Sequence, residues 1–597
     1  MKIYERLKKN GFVKVLFVTF FVFQFVQIFQ FDFFVQSDDF GYIANTAFFA
    51  GYNWNPYTGN MTQYFNIGFP ITGAFAFHLF DDVTWIYRCL LVVIIIWQCA
   101  LMYLIYRLSY EFFEMTKNQA GVITFLFSIG TMGPQNGLYY MAEIPFTLFF
   151  LLSLYLLLRA GCAEGKKKIL YSVLCGMAVA YSYTVHTRFL VLAGTVFICI
   201  LLYHLVYRKK LVHYIGFLTA FGISFTFCSK WVQYVQDTLY KTTVEGRIID
   251  GNDALARLGY VGTFLNVFTD FDRTVEFVRY LLSLVGVYTL ITGGLIWVAA
   301  VVIIWKLFKM WREKDKTSYG KAFFVLAVSG IISFCGMNFL TALNGTVNVE
   351  EYKWLTYFRY GRPFVGVLFI IALTWLFKNQ LSKVQIGVAY GGILFSLYIV
   401  LRFTMRMLEN APIDDVSPVG WMHYYFYWEG ETPREYFQKA VIAVFIIGTL
   451  LMLFLFFKKW FLAMMLFVVF SIALTISENT FNKKIGDNNY EMVDATIDFM
   501  EKYEEKIHVP VYFLQGTNAG RLRFGLYDIQ MQYLLSEEEL EEIDYENSIL
   551  LSDNHALKEG RTVKNRPKYR VVLDEHEYIY TSVSYTHLRA HETGAYL

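Results

Sequence analysis

The sequence predicts a polytopic α-helical membrane protein of about 13 transmembrane helices, with outer-face surface helices and a small C-terminal extracytoplasmic α/β domain. Three observations predict it. Of the 597 residues, 56% are hydrophobic and 19% aromatic, while only 17% are charged. That is more apolar surface than one soluble core can bury. Apolar runs of ~20 residues, each able to cross a ~30 Å hydrocarbon layer as a helix, recur along most of the chain. Lysine and arginine gather in alternate connecting loops, which fixes an orientation.

The first run, from Phe12 to about Phe34, is too long for a signal-peptide core and lacks a small-residue cleavage site, so it reads as a retained anchor. Further spans are expected at 84–106, 119–133, 143–159, 169–186, 189–207, 212–232, 276–305, 321–343, 363–377, 385–402, 437–457 and 460–476. The N-terminus carries Lys2, Arg6, Lys8 and Lys9, and the even-numbered spans end in "RAGCAEGKKK", "YRKK", "KLFKMWREKDK", "FKNQLSK" and "FFKK". No lysine or arginine stands between Phe34 and Arg88. The positive-inside rule therefore puts the N-terminus in the cytoplasm of a plasma-membrane protein, and an odd number of spans puts the C-terminal segment outside. Loops 35–83, 233–275, 344–362 and 403–436 share that outer face. The net charge of +3 arises from these short loops, so no nucleic-acid partner is implied. The seven cysteines fall in or beside spans and imply no disulfide framework.

Residues 1–476 thus read as a transmembrane domain. In loop 35–83, "GYIANTAFFAGYN" and "NIGFPITGAFAFHLF" are apolar but short of a span, and suit surface or re-entrant helices. Residues 477–581 turn rich in Glu, Asp, Asn and Lys. There "NYEMVDATIDFMEKYEEK" and "GRLRFGLYDIQMQYLL" read as helices, and "VPVYFL", "SILLSD" and "YRVVLDEHEYIYT" as strands. The tail 582–597, "SVSYTHLRAHETGAYL", resembles a translated adapter read-through, and the natural C-terminus is expected to be missing. Its His587 and His591 at i, i+4 are not taken as a metal site.

Ionisable residues at membrane depth are functional candidates by default. Asp38 and Asp39 follow the first span directly, and Glu143 opens the fourth on the same outer face. Helix capping explains one acid at such a place, with Ser37 as N-cap, but three acids at one depth are more than capping predicts. Cations stand at matching depth: Arg88, then His186 and Arg188 between spans five and six, then Lys353, Arg359 and Arg362 before span ten. Snorkelling is the plain alternative for each, though the positive-inside bias weakens it on this face. The aromatic run 420–431 reads as an interface belt rather than a sugar platform.

An acidic centre ringed by cations and reachable from lipid suits transfer from a lipid-phosphate donor to an external acceptor. A carboxylate can take the acceptor hydroxyl's proton, and arginines can hold the departing phosphate. A second acid can orient the base, hold a divalent cation or steady an oxocarbenium-like transition state.

The acid pair closing the first span, the segment "FPITGAFAFHLFDDVTWIYR" and "AEIPFTLFFLLSLYLLLR" together resemble the GT-C membrane glycosyltransferases, near the protein O-mannosyltransferase and aminoarabinose-transferase branch. The resemblance covers roughly residues 1–480 as a layout. It implies an inverting enzyme that uses a polyprenyl-phosphate sugar and an envelope glycan, lipid or protein acceptor. It places the base at Asp38 or Asp39, with Asp39 favoured because Asp38 follows the capping Ser37, and maps a further acid to Glu143. Many relatives carry "HPPL" after the surface helices, where this chain has "NIGFP" and keeps only Pro70. A polyprenyl-linked glycan polymerase or ligase, and a lipid-linked-sugar transporter or flippase, are the alternative readings. The sequence shows none of the internal symmetry expected of a transporter.

Overall fold

A computed structural model describes residues 2–29, 35, 37–130, 139–243, 253–255, 262, 265–313, 317–347, 355, 360–408, 432–459, 461–470, 472–473, 497, 500, 510–514, 519–535, 539, 548–552, 571–572 and 578–580. Helices dominate. In chain order they are α1 (Lys2–Ile28), α2 (Ser37–Phe49), α3 (Tyr57–Met61), α4 (Ala76–Leu79), α5 (Val83–Phe112), α6 (Lys117–Gly130), α7 (Glu143–Cys162), α8 (Gly165–Val185) and α9 (Phe189–Tyr207). Then come α10 (Tyr214–Leu239), α11 (Phe271–Ile291), α12 (Leu295–Glu313), α13 (Ser318–Val347), α14 (Arg362–Lys378), α15 (Lys383–Ile399), α16 (Pro433–Phe456) and α17 (Ala519–Gly525).

Among the described residues helix lies within each of the thirteen expected spans. Among the described residues, nine helices are long and apolar enough to cross a membrane, and Val13–Ile28 and Phe461–Phe470 are shorter apolar helices. Two further segments, α6 and α14, have 14 and 17 residues. Among the nine, α7 has 72% of its apolar window buried and α10 only 17%, so α7 is central and α10 peripheral. The outward face of α10 carries Ile215, Leu218, Ile223 and Phe227, the surface a lipid-facing helix needs. Inside, polar pairs tie apolar helices together: Gln24 of α1 donates to Gln98 of α5 at 2.9 Å.

The run expected as one span at 276–305 is broken. Helix α11 ends at Ile291 and α12 begins at Leu295, with Gly293 and Gly294 between them at φ +56° and +87°. Only glycine takes up such angles without a Cβ penalty. The Gly294 N–H closes the turn on the Thr289 carbonyl at 2.9 Å. Both pieces pack on α15 and the helical turns that continue it to Met407: Ser283 meets Met407, a Gly286 Cβ would meet Val400, and Trp297 Nε1 donates to the hydroxyls of Thr289 and Ser396. Their order is antiparallel to α15, so α12 continues in the direction of α11. Opposite Gly286, α15 passes into a π-helical turn, Val400–Thr404.

Contacts divide the chain into two compact units. One holds the described residues of 1–28, 94–228 and 258–484, and the other those of 29–93, 229–257 and 485–597. The second unit contains a five-stranded sheet of order β2-β1-β3-β5-β4. Its strands are β1 (Val511–Leu514), β2 (Met531–Leu534), β3 (Ile549–Ser552), β4 (Val571–Val572) and β5 (Tyr578–Tyr580). Strand β1 is parallel to β2 and β3, with Val511 opposite Met531 and Ile549, while β5 is antiparallel to β3 and β4. Helix α17 is the crossover that a parallel β1–β2 pair requires. Here a sequence reading is corrected: "GRLRFGLYDIQMQYLL" is not one helix, since α17 stops at Gly525 and "MQYL" is β2. Likewise "NIGFPITGAFAFHLF" forms no surface helix beyond the 3-10 turn Pro70–Gly73 and the single turn α4. The helix expected in "NYEMVDATIDFMEKYEEK" lies almost wholly outside the described residues.

Candidate active site

Two clusters carry the predicted site residues, one in each unit. In the first unit Glu143 is the opening residue of α7 and is buried, with Pro145 in the first turn, where no helical N–H is needed from it. The turn joining α8 to α9 is 186–188. His186 Nδ1 accepts the backbone N–H of Arg188 at 3.2 Å and lies 3.1 Å from the Thr187 hydroxyl, which fixes the turn. Buried Arg188 reaches back to α7, its Nη2 donating to Glu143 Oε1 at 3.3 Å. Its guanidinium also lies 4.6 Å over the Tyr360 ring and 6.0 Å from that of Phe146. Stacking plus a carboxylate is the environment that suits a planar, weakly hydrated cation.

Tyr288 of α11 closes this cluster. Its buried hydroxyl stands where a Gly361 side chain would lie, and Arg188 and Arg362 are both close enough to act on it. Arg362 itself is buried at the start of α14. Among the described residues two guanidiniums and one carboxylate gather here, in surroundings that strengthen the pull of each charge. The sequence thus named Glu143, His186, Arg188 and Arg362, which the fold brings together, and missed Tyr288 and Tyr360. Lys353, Arg359 and the aromatic run 420–431 lie outside the described residues.

The second unit carries the acid pair. Asp38 and Asp39 stand in the first turn of α2, Asp38 half-buried and Asp39 fully buried. The next turn is clamped. The Phe65 ring lies where a Gly41 side chain would stand, so only glycine fits there. Asn45 Nδ2 donates to the Phe65 carbonyl at 2.9 Å, and the Tyr240 hydroxyl donates to the Gly41 carbonyl at 3.2 Å and to Asn45 Oδ1 at 3.1 Å. On the other side Phe40 stacks on Trp54, centroids 5.9 Å apart and planes 17° from parallel.

Residues after 510 hold the same loop. Trp54 Nε1 donates to the Tyr527 carbonyl at 2.8 Å, Tyr57 hydroxyl to that of Ala519 at 2.7 Å, and Asn60 Nδ2 to that of Tyr533 at 3.1 Å. Arg88 sits apart in an aromatic slot, 5.0 Å over Trp85 and 5.5 Å from Phe29, a geometry that suits snorkelling. Among the described residues no three His, Cys, Asp or Glu side chains gather as a metal site.

No protein-family model matches the chain, and no curated protein matches it. Solved structures do. ArnT from Cupriavidus metallidurans, bound to undecaprenyl phosphate, is 13% identical over 95% of this chain and 97% of that one, with a TM-score of 0.54. The same protein in its apo state is 13% identical over 96% and 97%, with a TM-score of 0.53. The archaeal oligosaccharyltransferase AglB from Archaeoglobus fulgidus, with an inhibitory peptide and a dolichol-phosphate, gives 13% identity over 93% and 71% at a TM-score of 0.44. What the motifs around Asp38, Asp39 and Glu143 implied about the fold therefore holds: this chain has the fold of ArnT, an aminoarabinose transferase of the GT-C class.

Proposed function

We propose that the chain is an inverting membrane glycosyltransferase that moves a sugar from a polyprenyl-phosphate donor to an extracytoplasmic glycan, lipid or protein. The observation that carries this is the buried Glu143–Arg188 pair beside Arg362, within a fold that in ArnT binds undecaprenyl phosphate. A fold alone hosts many functions, so the charge in the site has to bear the argument. Arg188, stacked on Tyr360 and oriented by Glu143, is the group that binds the lipid phosphate, with Arg362 beside it. Glu143 positions Arg188 rather than meeting the sugar.

The acceptor oxygen attacks the anomeric carbon from the face opposite the phosphate. The bond from that carbon to the phosphate oxygen breaks, and its electron pair leaves with the lipid phosphate. The acceptor's proton passes to the Asp38–Asp39 pair. Exposure divides the two acids: half-buried Asp38 can reach an external hydroxyl, which fully buried Asp39 cannot. This differs from the preference for Asp39 drawn from the capping argument.

The test is release of polyprenyl phosphate when purified protein meets a panel of polyprenyl-phosphate sugars. Transfer from at least one donor is expected, falling about 100- to 10,000-fold in Asp38→Asn, the range general-base catalysis supplies. Unchanged turnover in both Asp38→Asn and Asp39→Asn would sink the assignment.

A further inference from the structure

Arg523 of α17 is 1% exposed. Among the described residues it forms no ion pair, and Asp528 acts on it only at longer range. Its guanidinium lies 4.7 Å over the Trp54 ring and 5.9 Å from that of Tyr57. Nη1 donates to the Leu526 carbonyl and Nη2 to that of Tyr527 at 3.2 Å, while among the described residues buried Nε has no hydrogen-bond partner. Burial pushes this guanidinium down to about 9. Stability alone does not account for such a residue. A buried charge loses its hydration, and an apolar side chain of similar volume is often as stable or more so.

The plate does hold something. Trp54, under Arg523, stacks with Phe40, and Phe40 also lies 6.3 Å from the Tyr57 ring. A Cβ on Gly520, in the same helix as Arg523, would stand 3.2 Å from Phe40 Cβ. Phe40 is the residue after Asp39. Four side chains from three stretches thus form one closed stack, and its free end is the backbone of the acid pair.

We propose that Arg523 is a positioning residue, whose guanidinium locks Phe40 through Trp54 and so sets the Asp38–Asp39 turn for proton transfer. This rests on the glycosyltransferase reading, which gives the acids their task. The experiment compares Arg523→Met and Arg523→Lys in the full chain. The Met variant is expected to melt at or above the wild-type temperature, yet to exchange amide protons faster across 37–49. Its kcat should fall about 10- to 100-fold, the effect of an ångström-scale misplacement, with KM changed less. The acid limb of its kcat/KM profile should move, which a lower content of folded enzyme would not cause. Lysine keeps the charge but neither the plate nor the fork, and should not restore kcat. Wild-type kcat and exchange in the Met variant would overturn the proposal, as would full recovery by lysine. If the wild type transfers no sugar, the functional reading fails, and amide exchange across 37–49 still judges the clamp.

Discussion

Arg188 meets three kinds of partner at once: a carboxylate, an aromatic face and a turn fixed by a histidine nitrogen. Each can be removed separately. Arg188→Lys keeps the charge but loses the stack and the planar fork, so donor KM is expected to rise about tenfold, with thermal stability nearly intact. Glu143→Gln leaves a buried cation without its counter-charge, which costs roughly 3–5 kcal/mol when a buried pair is broken. Thermal melting should show that loss whichever sugar moves. These two residues were legible in the sequence because an ion at the mouth of an apolar run stands out chemically. Tyr288 and Tyr360 were not, since in a chain that is 19% aromatic a tyrosine packed on a buried arginine looks like an interfacial one. Arg523 was hidden for the opposite reason: in a polar segment an arginine reads as surface until the fold buries it.

Helix ends and breaks carry predictions of their own. Ser382 caps α15 in a reciprocal box with Gln385, and Ser382→Ala should cost about 1 kcal/mol by thermal or denaturant unfolding. Glu435 plays the matching role under Thr432 at the start of α16, and the Thr432 backbone N–H holds its carboxyl below the usual range. The folded form therefore favours the ionised acid. The cap is fully present above the ordinary carboxyl range and is lost as pH falls through it, a loss that Glu435→Gln should abolish in melts taken across that range. At the α11–α12 break, Gly294→Ala forces a left-handed angle on a residue with a Cβ and should cost about 1–2 kcal/mol or more, with Ile393 in the way. The sequence held the signal for this break, two adjacent glycines after a threonine, but hydropathy averaged over a window does not register a turn of three residues. Strand β2 escaped for a related reason. A four-residue apolar run next to a helical one has no period of its own.

At the scale of the molecule, hydropathy and loop charge sufficed to locate the helices because both are summed over many residues. Among the described residues they ran together the two helices α11 and α12, the second of which begins apolar and ends on Lys306, Lys309 and Arg312. The orientation they propose can be checked with a native thiol. Cys162 is exposed at the end of α7, beside the expected cytoplasmic lysines. In intact cells it should react with a membrane-permeant maleimide and resist a charged, impermeant one. No local pattern could show that residues 29–93 share a unit with 485–597, because such contacts leave no periodicity. They do have a consequence for how the protein is made. The bond from Trp54 to Tyr527 spans 473 positions. At about 5–20 residues per second of synthesis, the acid-bearing loop waits for tens of seconds before its clamp arrives. A nascent chain thus carries its acid pair long before the clamp exists, and a message cut short before Ala519 would leave Trp54, Tyr57 and Asn60 without the carbonyls they bond.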